Sequence, residues 1–374
     1  MKILVISNHP RSLYRFRGKL INTMTESGHE VYALTPKGVS NEHISKIRET
    51  GAEVNEYFLN RTGLSPIQDL KTLISLILKM RKLRPDIVLS YTIKPVIYGS
   101  IAAFCTRVPK IFSIINGTGF SFSEAGKSKK FLHFLIKSLF RFALSKNSFI
   151  FFQNNEDRNL FIKNKIVNHE LSGVTNGSGI DLNEFEFHPY NTMDVLKILF
   201  IGRFFKEKGI YHFVEAAKEI KKKYGRKVEF QLIGEIGNDK NSIKTHELKE
   251  WEKEGWINNL GFVDDVKTTI IDSHIVVLPS YYREGVPRSL LEALSIGRAI
   301  ITTNSIGCKE TVIDGKNGIL IKPDDLQSLI EAIEKLINNP IQLQKMGARS
   351  RQLAKSKFDV ETINQYMLEK IYMF

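Results

Sequence analysis

The feature that most constrains the fold is an alternation of short apolar runs with amphipathic segments, which occurs twice along the chain. The first series starts at Lys2–Ser7 and continues to Ser148–Gln153; the second starts at Leu196–Ile201 and continues to Gly318–Ile321. Short apolar runs that alternate with helical patterns indicate βα units wound around a parallel sheet. The sequence therefore predicts two doubly wound, Rossmann-like α/β domains.

The length of the chain, 374 residues, also favours two domains over a single hydrophobic core. A linker is expected near Asn183–Asp194, where Pro189 interrupts a stretch with few apolar pairs. Ligands of open α/β sheets bind at the carboxyl ends of the strands, so we expect the two domains to face each other across a cleft. The expected parts are an N-terminal Rossmann-like domain (1–188), a C-terminal Rossmann-like domain (189–354) and a final helix that packs back on the N-terminal domain (355–374).

The net charge is distributed unevenly. The formal charge is +14, and residues 1–190 alone carry +11, because 26 Lys and Arg stand against 15 Asp and Glu there. A basic N-terminal half favours an anionic partner, such as lipid headgroups, a pyrophosphate or nucleic acid. A general drift of the composition toward lysine is the alternative explanation.

The compartment is suggested by the cysteines and by the lack of long apolar runs. Cys105 and Cys308 are the only two cysteines and lie far apart in the sequence, which argues against a disulfide framework. No apolar run reaches the length of a transmembrane helix, and the first residues do not resemble a secretory signal. We therefore expect a cytoplasmic protein.

The stretch Ser280–Gly297 predicts an anion site at a helix N-terminus. It follows an apolar run that predicts a buried strand, and Pro287 suits the first position of a helix that ends at Gly297. Glu284 precedes this helix and Glu292 lies inside it. An anion would bind the N–H groups between the two carboxylates, and hydroxyl-rich groups would suit the carboxylates themselves. A sugar–diphosphate–ribose has this arrangement.

Two further strand ends of the second domain carry glycine and basic residues. Arg203 and Lys208 follow the strand that opens this domain and precede a helix. Guanidinium and ammonium groups there would bind phosphate oxygens, although a solvated basic turn is the alternative. Gly234 ends the next strand, where a nucleoside could approach closely, or where the glycine serves only a turn.

The first domain offers two candidate acceptor elements. Asn116 lies at a strand end, where it could orient a substrate but could not act as a base at neutral pH. The loop Asn8–Gly18 includes Arg15, Arg17 and Gly18, and it would suit an acceptor pyrophosphate, a nucleic acid or solvent alone. No metal-ligand spacing stands out among the nine histidines.

The segment Lys127–Ser145 is the candidate for membrane contact. On a helical wheel Lys130, Lys137 and Arg141 share one stripe, while aromatic and aliphatic residues cover the rest. A basic stripe beside a wide apolar arc suits an anionic bilayer surface. A core helix would also be apolar on one face, and that alternative stays open.

Several of these segments together resemble the retaining glycosyltransferases of family 4, whose architecture of two Rossmann domains is called GT-B. The resemblance covers nearly the whole chain and is strongest from Asn176 to Gly318. The segments that carry it are, in order, Asn176–Asp181, Gly202-Arg203 with Lys208-Gly209, Leu278–Ser280, Glu284–Pro287, Leu291–Ala293 and Gly307–Glu310. The form Pro287-Arg288-Ser289 is most similar to the branch that acts on lipid-linked sugars.

The resemblance implies a role for each matching residue. Arg203 and Lys208 would bind the donor diphosphate, Glu292 the ribose, and Glu284 the hydroxyls of the donor sugar. The amides that would help to hold this sugar are those of Gly285, Val286 and Pro287. The residues expected to act in catalysis are Glu284, Asn116, Arg203 and Lys208. The donor would be a nucleotide sugar, usually a UDP-sugar, and the reaction would retain the anomeric configuration without a metal ion or other cofactor.

The implied partners are a lipid-linked saccharide acceptor and an anionic membrane surface, with no nucleic acid. The protein would be peripheral on the inner face of the cell membrane. Two features depart from the family pattern: many members carry a histidine in place of Asn116, and many have paired glycines where this first loop has arginines and Gly18. A nucleotide-sugar 2-epimerase and a non-enzymatic basic protein that binds membrane or nucleic acid are the alternatives.

Overall fold

The fold was analysed in a computed structural model. The residues that it describes are 1–38, 41–61, 63, 65–117, 130–190, 194–237 and 240–374. The chain divides into two compact units. The first comprises Met1–Gly179 with Val360–Phe374, and the second comprises Ile180–Asp359.

The first unit is built around a seven-stranded parallel sheet with the strand order β3-β2-β1-β4-β5-β6-β7. Its strands are β1 (Lys2–Ile6), β2 (Glu30–Pro36), β3 (Glu53–Tyr57), β4 (Ile87–Tyr91), β5 (Lys110–Ile115), β6 (Phe149–Phe152) and β7 (Ser172–Val174). Its helices before the second unit are α1 (Pro10–Glu26), α2 (Asn41–Arg48), α3 (Pro66–Leu83), α4 (Ile93–Cys105), α5 (Lys130–Leu144) and α6 (Asn155–Lys163).

The second unit repeats this plan with six parallel strands in the order β10-β9-β8-β11-β12-β13. Its strands are β8 (Leu196–Ile201), β9 (Val228–Ile233), β10 (Asn258–Asn259), β11 (Ile275–Leu278), β12 (Ala299–Thr303) and β13 (Gly318–Ile321). Its helices are α7 (Ile210–Tyr224), α8 (Thr245–Lys253), α9 (Lys267–Asp272), α10 (Arg288–Ile296), α11 (Leu326–Ile337) and α12 (Pro340–Lys357). The chain then returns to the first unit as α13 (Val360–Met373).

The helices of the first unit cover both faces of its sheet. On one face α1, α2 and α13 share a hydrophobic core, and α13 contributes Ile363, Met367, Leu368 and Ile371 to it. On the other face α3, α4, α5 and α6 cover two further cores. In both units the strand order reverses beside the first strand, at β1 and at β8. The predicted fold class, two doubly wound Rossmann-like domains, is confirmed.

The boundaries between the units differ from the expected positions. The second unit starts at Ile180, because Ile180 and Phe185 are buried in its core and the Ile180 N–H donates to the Phe358 carbonyl over 2.8 Å. It extends to Asp359, because α12 continues to Lys357 and Phe358 is buried in the same core. The linker pattern around Pro189 therefore lies inside the second unit.

The first loop is also shorter than the sequence indicated. Helix α1 begins at Pro10, because the His9 ring accepts a hydrogen bond from the Arg11 N–H and Pro10 occupies the first turn. Arg15, Arg17 and Gly18 therefore lie on a helix and not in a loop.

Within the described ranges, no helix has both the length and the apolar character needed to cross a membrane.

Candidate active site

The site residues of the second unit come together where two neighbouring strands end. Strands β8 and β11 are adjacent in the sheet, so the segments that follow them meet at its carboxyl edge. A 3₁₀ turn, Lys206–Lys208, follows β8. The Glu207 carbonyl in this turn accepts hydrogen bonds from the N–H groups of Tyr281 (3.0 Å) and Tyr282 (3.2 Å). These two bonds fix the turn against the segment that carries Glu284.

The centre of the site is an ion pair between Lys208 and Glu284. The Lys208 ammonium contacts Glu284 Oε2, and the two side chains are only 15% and 14% exposed. The Ser280 hydroxyl donates to the other carboxylate oxygen, Oε1, over 3.0 Å. Charges with so little solvent contact are tolerated when they are paired and hydrogen-bonded. The structure thus brings together an anion-binding cation and a carboxylate that can accept hydrogen bonds from sugar hydroxyls.

A buried thiol lies behind this carboxylate. Cys308 Sγ is 3.9 Å from Glu284 Oε1. Burial, followed by the negative charge of Glu284, raises the pKa of the Cys308 thiol to about 12. The thiol therefore remains protonated at neutral pH and presents its S–H to the carboxylate.

The two cysteines should differ strongly in their reactivity. Cys105 is exposed and Cys308 is buried, and alkylation requires an accessible thiolate. At pH 8 we expect iodoacetamide to modify Cys105 at least ~10³-fold faster than Cys308, because the raised pKa leaves little thiolate at Cys308. Peptide mass mapping over time measures both rates. Equal rates in the folded protein would contradict the buried position of Cys308.

The loop after β12 packs directly on the backbone of Glu284 and Gly285. Gly307 has φ +86°, and a Cβ atom placed on it would lie 2.0 Å from the Gly285 carbonyl oxygen. Only glycine permits this approach, which brings Cys308 against the carboxylate of Glu284.

Substitution of this glycine should therefore damage the site and the unit that carries it. We expect Gly307→Ala to lower the free energy of unfolding by about 3 kcal/mol, because backbone strain and a steric clash add. Gly315 is a matched control, since it has φ +71° with no atom within 4 Å of a Cβ. Gly315→Ala should cost only about 1 kcal/mol, the strain alone. Urea unfolding measures both changes, and similar losses in the two variants would contradict the close approach.

Helix α10 directs its N-terminus into the same edge of the sheet. It begins at Arg288, with Pro287 as the N-cap residue, and it ends at Gly297 in the left-handed conformation. Pro287 thus lies just before the helix and not at its first position, where the sequence placed it. Gly285, Val286 and Pro287 are buried and connect Glu284 to the helix. The positive end of the helix dipole follows, which favours an anion here.

Glu292 is buried inside α10 and has a charged partner. The Arg288 Nε donates to Glu292 Oε1 over 3.2 Å from the preceding turn. A carboxylate buried in an apolar helix needs a partner, and Arg288 is that partner.

Arg203 and Gly234 occupy the ends of β8 and β9. Arg203 is exposed, and its guanidinium group stacks 4.3 Å above the Phe205 ring. A Cβ atom on Gly234 would lie 1.9 Å from the Gly202 carbonyl oxygen. The close packing of these two strand ends therefore explains the glycine, while a contact between Gly234 and a nucleoside stays a prediction.

In the first unit Asn116 follows β5 at the carboxyl edge of the sheet. Its Oδ1 atom is buried and has no hydrogen-bond partner among the described residues. Arg15 lies on α1 and is partly exposed. Gly18 is buried on the same helix. Arg17 is only 1% exposed, and its Nη1 atom lies 3.8 Å from Met367 Sδ of α13. Burial favours a structural role for Arg17 and Gly18, so among these residues Arg15 is the better candidate for acceptor contact.

The basic stripe of α5 is held by its neighbour α6. The Lys137 ammonium donates to the Asn164 side chain over 2.9 Å, and Arg141 donates to the carbonyls of Asn164 (2.8 Å) and Lys165 (3.0 Å). The side chain of Lys130 and residues 127–129 lie outside the part that the structure describes. Among the described side chains of α5, the exposed large apolar ones are Phe134, Leu135, Leu139 and Phe142.

Sequence reasoning did not assign roles to Ser280 and Cys308. Ser280 follows β11 after Pro279, at the same edge as Glu284, and this position was the available signal. Cys308 had no comparable signal, because its contact with Glu284 depends on how two loops pack.

Comparison with known proteins shows the family of this chain. Residues 2–154 match the family described as glycosyl transferase 4-like, and residues 183–353 match glycosyl transferases group 1. The chain is 28% identical to N,N'-diacetylbacillosaminyl-diphospho-undecaprenol alpha-1,3-N-acetylgalactosaminyltransferase of Campylobacter jejuni, over 91% of this chain and 90% of that protein. It is 30% identical to UDP-Gal:alpha-D-GlcNAc-diphosphoundecaprenol alpha-1,3-galactosyltransferase of Escherichia coli, over 80% of this chain and 78% of that protein.

A solved structure supports the fold. HepE from Anabaena, crystallised in complex with UDP and glucose, superimposes with a TM-score of 0.80 over all of both chains, at 18% sequence identity.

Proposed function

Since this chain belongs to the family 4 glycosyltransferases, we propose that it moves a hexose or N-acetylhexosamine from a UDP-sugar to a lipid-linked saccharide. The names of two relatives support this acceptor class, because both specify sugars on undecaprenyl diphosphate. The observation that carries the proposal is the Lys208–Glu284 pair beside the N-terminus of α10.

The donor diphosphate would be bound by positive charge from three sources. Lys208 supplies a nearly buried ammonium group, Arg203 a guanidinium group from the end of β8, and α10 the positive end of its dipole. These charges would also stabilise the diphosphate as it leaves, which makes them catalytic as well as binding groups.

The transfer would retain the anomeric configuration. The bond between the sugar C1 and the phosphate oxygen breaks, and a bond from C1 to the acceptor oxygen forms on the same face. The departing phosphate oxygen takes the proton of the acceptor hydroxyl, so that UDP and the extended saccharide are the products. No protein base is needed in this scheme, which suits an asparagine at position 116. Glu284 would bind the sugar hydroxyls and orient the reacting C1 atom. We propose that the reaction needs no metal ion.

The acceptor would be held by the first unit, near Asn116 and Arg15. Its basic character suits an acceptor diphosphate and an anionic leaflet. We propose a peripheral position on the cytoplasmic face of the membrane, with the exposed apolar side chains of α5 near the bilayer. The comparisons give no support to a 2-epimerase or to a non-enzymatic binding protein.

The contact between Glu292 and ribose can be tested separately from the phosphate contacts. We expect Glu292→Ala to weaken UDP binding about 10-fold, because a charged acceptor for ribose hydroxyls is lost. Binding of inorganic pyrophosphate should stay within about 2-fold, since it does not use the ribose contact. Isothermal titration measures both affinities. An equal loss for both ligands would instead indicate that the variant disturbs α10.

The deciding experiment for the function is a substrate panel. The protein is incubated with UDP-hexoses and UDP-N-acetylhexosamines together with undecaprenyl-diphosphate-linked saccharides, with and without EDTA, and the products are identified by mass spectrometry. The expected result is an acceptor heavier by one sugar, formed equally in EDTA. An altered sugar pool with no extended acceptor would overturn the proposal in favour of an epimerase.

A further inference from the structure

Helix α3 carries a row of large apolar side chains on its outer surface. We call Ile67, Leu70, Ile74 and Leu78 the apolar stripe of α3; their exposed fractions are 71%, 56%, 48% and 60%. Their spacing of three and four residues places them on one face of the helix. From Ile67 to Leu78 the stripe is roughly 16 Å long. A continuous exposed row of this kind is typical of an interaction surface.

The same face carries positive charge. Lys71, Arg81 and Lys82 are exposed, and helical geometry places them beside the apolar stripe of α3. The one acidic residue of α3, Asp69, is buried and pairs with Lys94 over 2.7 Å. The exposed face therefore combines apolar and basic side chains without a carboxylate, and this composition complements an anionic lipid surface.

The core-facing side of α3 is already occupied. Leu76 and Met80 are buried against the sheet, so the apolar stripe is additional to the residues that hold the helix in place. Helix α4 packs between α3 and α5 in the same layer. The exposed apolar side chains of α5, Phe134 and Phe142 among them, therefore belong to the layer that also presents the stripe.

The orientation of α3 places one end of the apolar stripe toward the proposed acceptor site. In a parallel α/β unit the helices run opposite to the strands, so the N-terminal end of α3 lies toward the carboxyl edge of the sheet. Asn116 follows β5 at this edge. A bilayer in contact with the stripe would thus present a lipid-linked saccharide to the edge that holds Asn116.

We propose that the apolar stripe of α3 inserts into the interfacial zone of an anionic bilayer and fixes the first unit on the membrane. Lys71, Arg81 and Lys82 then lie among the headgroups. The inference deepens the proposed function, on which it rests for the lipid nature of the acceptor. It assigns the main membrane contact to α3, whereas the sequence indicated the basic stripe of α5. A second copy of this chain is the alternative occupant of the stripe.

The test compares binding of the full-length protein to vesicles of phosphatidylcholine mixed with phosphatidylglycerol and to vesicles of phosphatidylcholine alone. We expect the wild type to bind the anionic vesicles more strongly. The double variant Ile74→Ser/Leu78→Ser should bind them about 30-fold more weakly, because two aliphatic side chains that would insert into the bilayer are lost without a change of charge. Ile341→Ser is the matched control, since Ile341 is 68% exposed on α12 of the second unit. It should bind like the wild type.

Two further measurements distinguish membrane docking from donor binding and from self-association. The affinity for UDP, measured without vesicles, should be the same in the wild type and in both variants. Absence of UDP binding would count against the proposed donor site, whereas loss of vesicle binding alone would concern only membrane docking. Sedimentation velocity reports self-association. Unchanged vesicle binding by Ile74→Ser/Leu78→Ser, or no vesicle binding by the wild type, would overturn the inference. A wild-type dimer that does not bind vesicles and is converted to monomers by the double variant would assign the stripe to self-association instead.

Discussion

Lys208→Ala is expected to lower kcat/KM for sugar transfer by about 10³-fold and to weaken UDP binding. The Lys208 ammonium is nearly buried beside the start of α10, where a charge acts more strongly than in water. Loss of one such group that stabilises a leaving anion typically lowers kcat by about 10²–10³-fold, and the lost affinity for the donor adds to this in kcat/KM. Steady-state kinetics with a fixed acceptor and varied UDP-sugar measures the effect.

The neighbouring Lys206 provides the matched control. It lies in the same 3₁₀ turn, is exposed and stacks over Tyr211 at 5.8 Å. Lys206→Ala removes the same charge from the same turn, and we expect less than about 3-fold change, because an exposed charge is screened by solvent. Equal losses in both variants would show that only the net charge of the loop matters, which would contradict the specific role of Lys208.

Stability must be separated from catalysis in this experiment. Lys208→Ala leaves the Glu284 carboxylate with little solvent and without its cation, which should cost about 2–3 kcal/mol of folding free energy. The double variant Lys208→Ala/Glu284→Ala removes both charges and should recover most of this loss, but not the activity. Recovery of activity together with stability would refute a catalytic role for Lys208.

Glu284→Gln is expected to lower kcat by about 10²-fold and to leave UDP binding unchanged or tighter. The Glu284 carboxylate and the Lys208 ammonium form an ion pair in the structure. A donor diphosphate must therefore compete with the Glu284 carboxylate for Lys208. Glutamine releases the ammonium group for the phosphate, yet it lacks the charge that holds the sugar hydroxyls in the transition state. Titration with UDP and initial rates with UDP-sugar measure the two effects.

The prediction for Glu284→Gln is specific, because kcat should fall while the affinity for UDP should stay the same or rise. If UDP affinity fell together with kcat, Glu284 would belong to the nucleotide site and not to the sugar site. Glu207→Gln is a suitable control, because it removes a negative charge from the adjacent turn and keeps the Glu207 carbonyl, which accepts the hydrogen bonds from the Tyr281 and Tyr282 N–H groups. Its kinetics should remain within about 2-fold of the wild type.

The parts of the candidate donor site could be predicted from the sequence, because each part is a local signal. Strand ends, Gly297 as a helix cap and Glu292 inside an apolar helix each depend on a few neighbouring residues. These local signals could not show which side chains contact each other in the folded protein. Lys208 and Glu284 are separated by 76 positions, and their pairing depends on the hydrogen bonds that join the Glu207 carbonyl to Tyr281 and Tyr282.

The first unit shows the limits of local patterns more clearly. Three arginines near the N-terminus suggested an open loop, yet the cap at His9 starts α1 early and Arg17 becomes buried against α13. The basic stripe of α5 suggested a surface for lipid, yet Lys137 and Arg141 bind the end of α6. In both cases a segment distant in the sequence decides what the side chain contacts.

By itself, the sequence determined the two doubly wound domains, since the periods of apolar residues are set by the geometry of helices and strands. It also determined which residues could bind a nucleotide sugar, because their chemistry and their positions at strand ends are local. The tertiary structure alone decided which cation meets which carboxylate, and which face of an apolar helix stays outside. Helix α3 is the clearest case: burial depends on the neighbours that pack against it, and only the fold shows that Leu76 is covered while Ile74 and Leu78 are exposed.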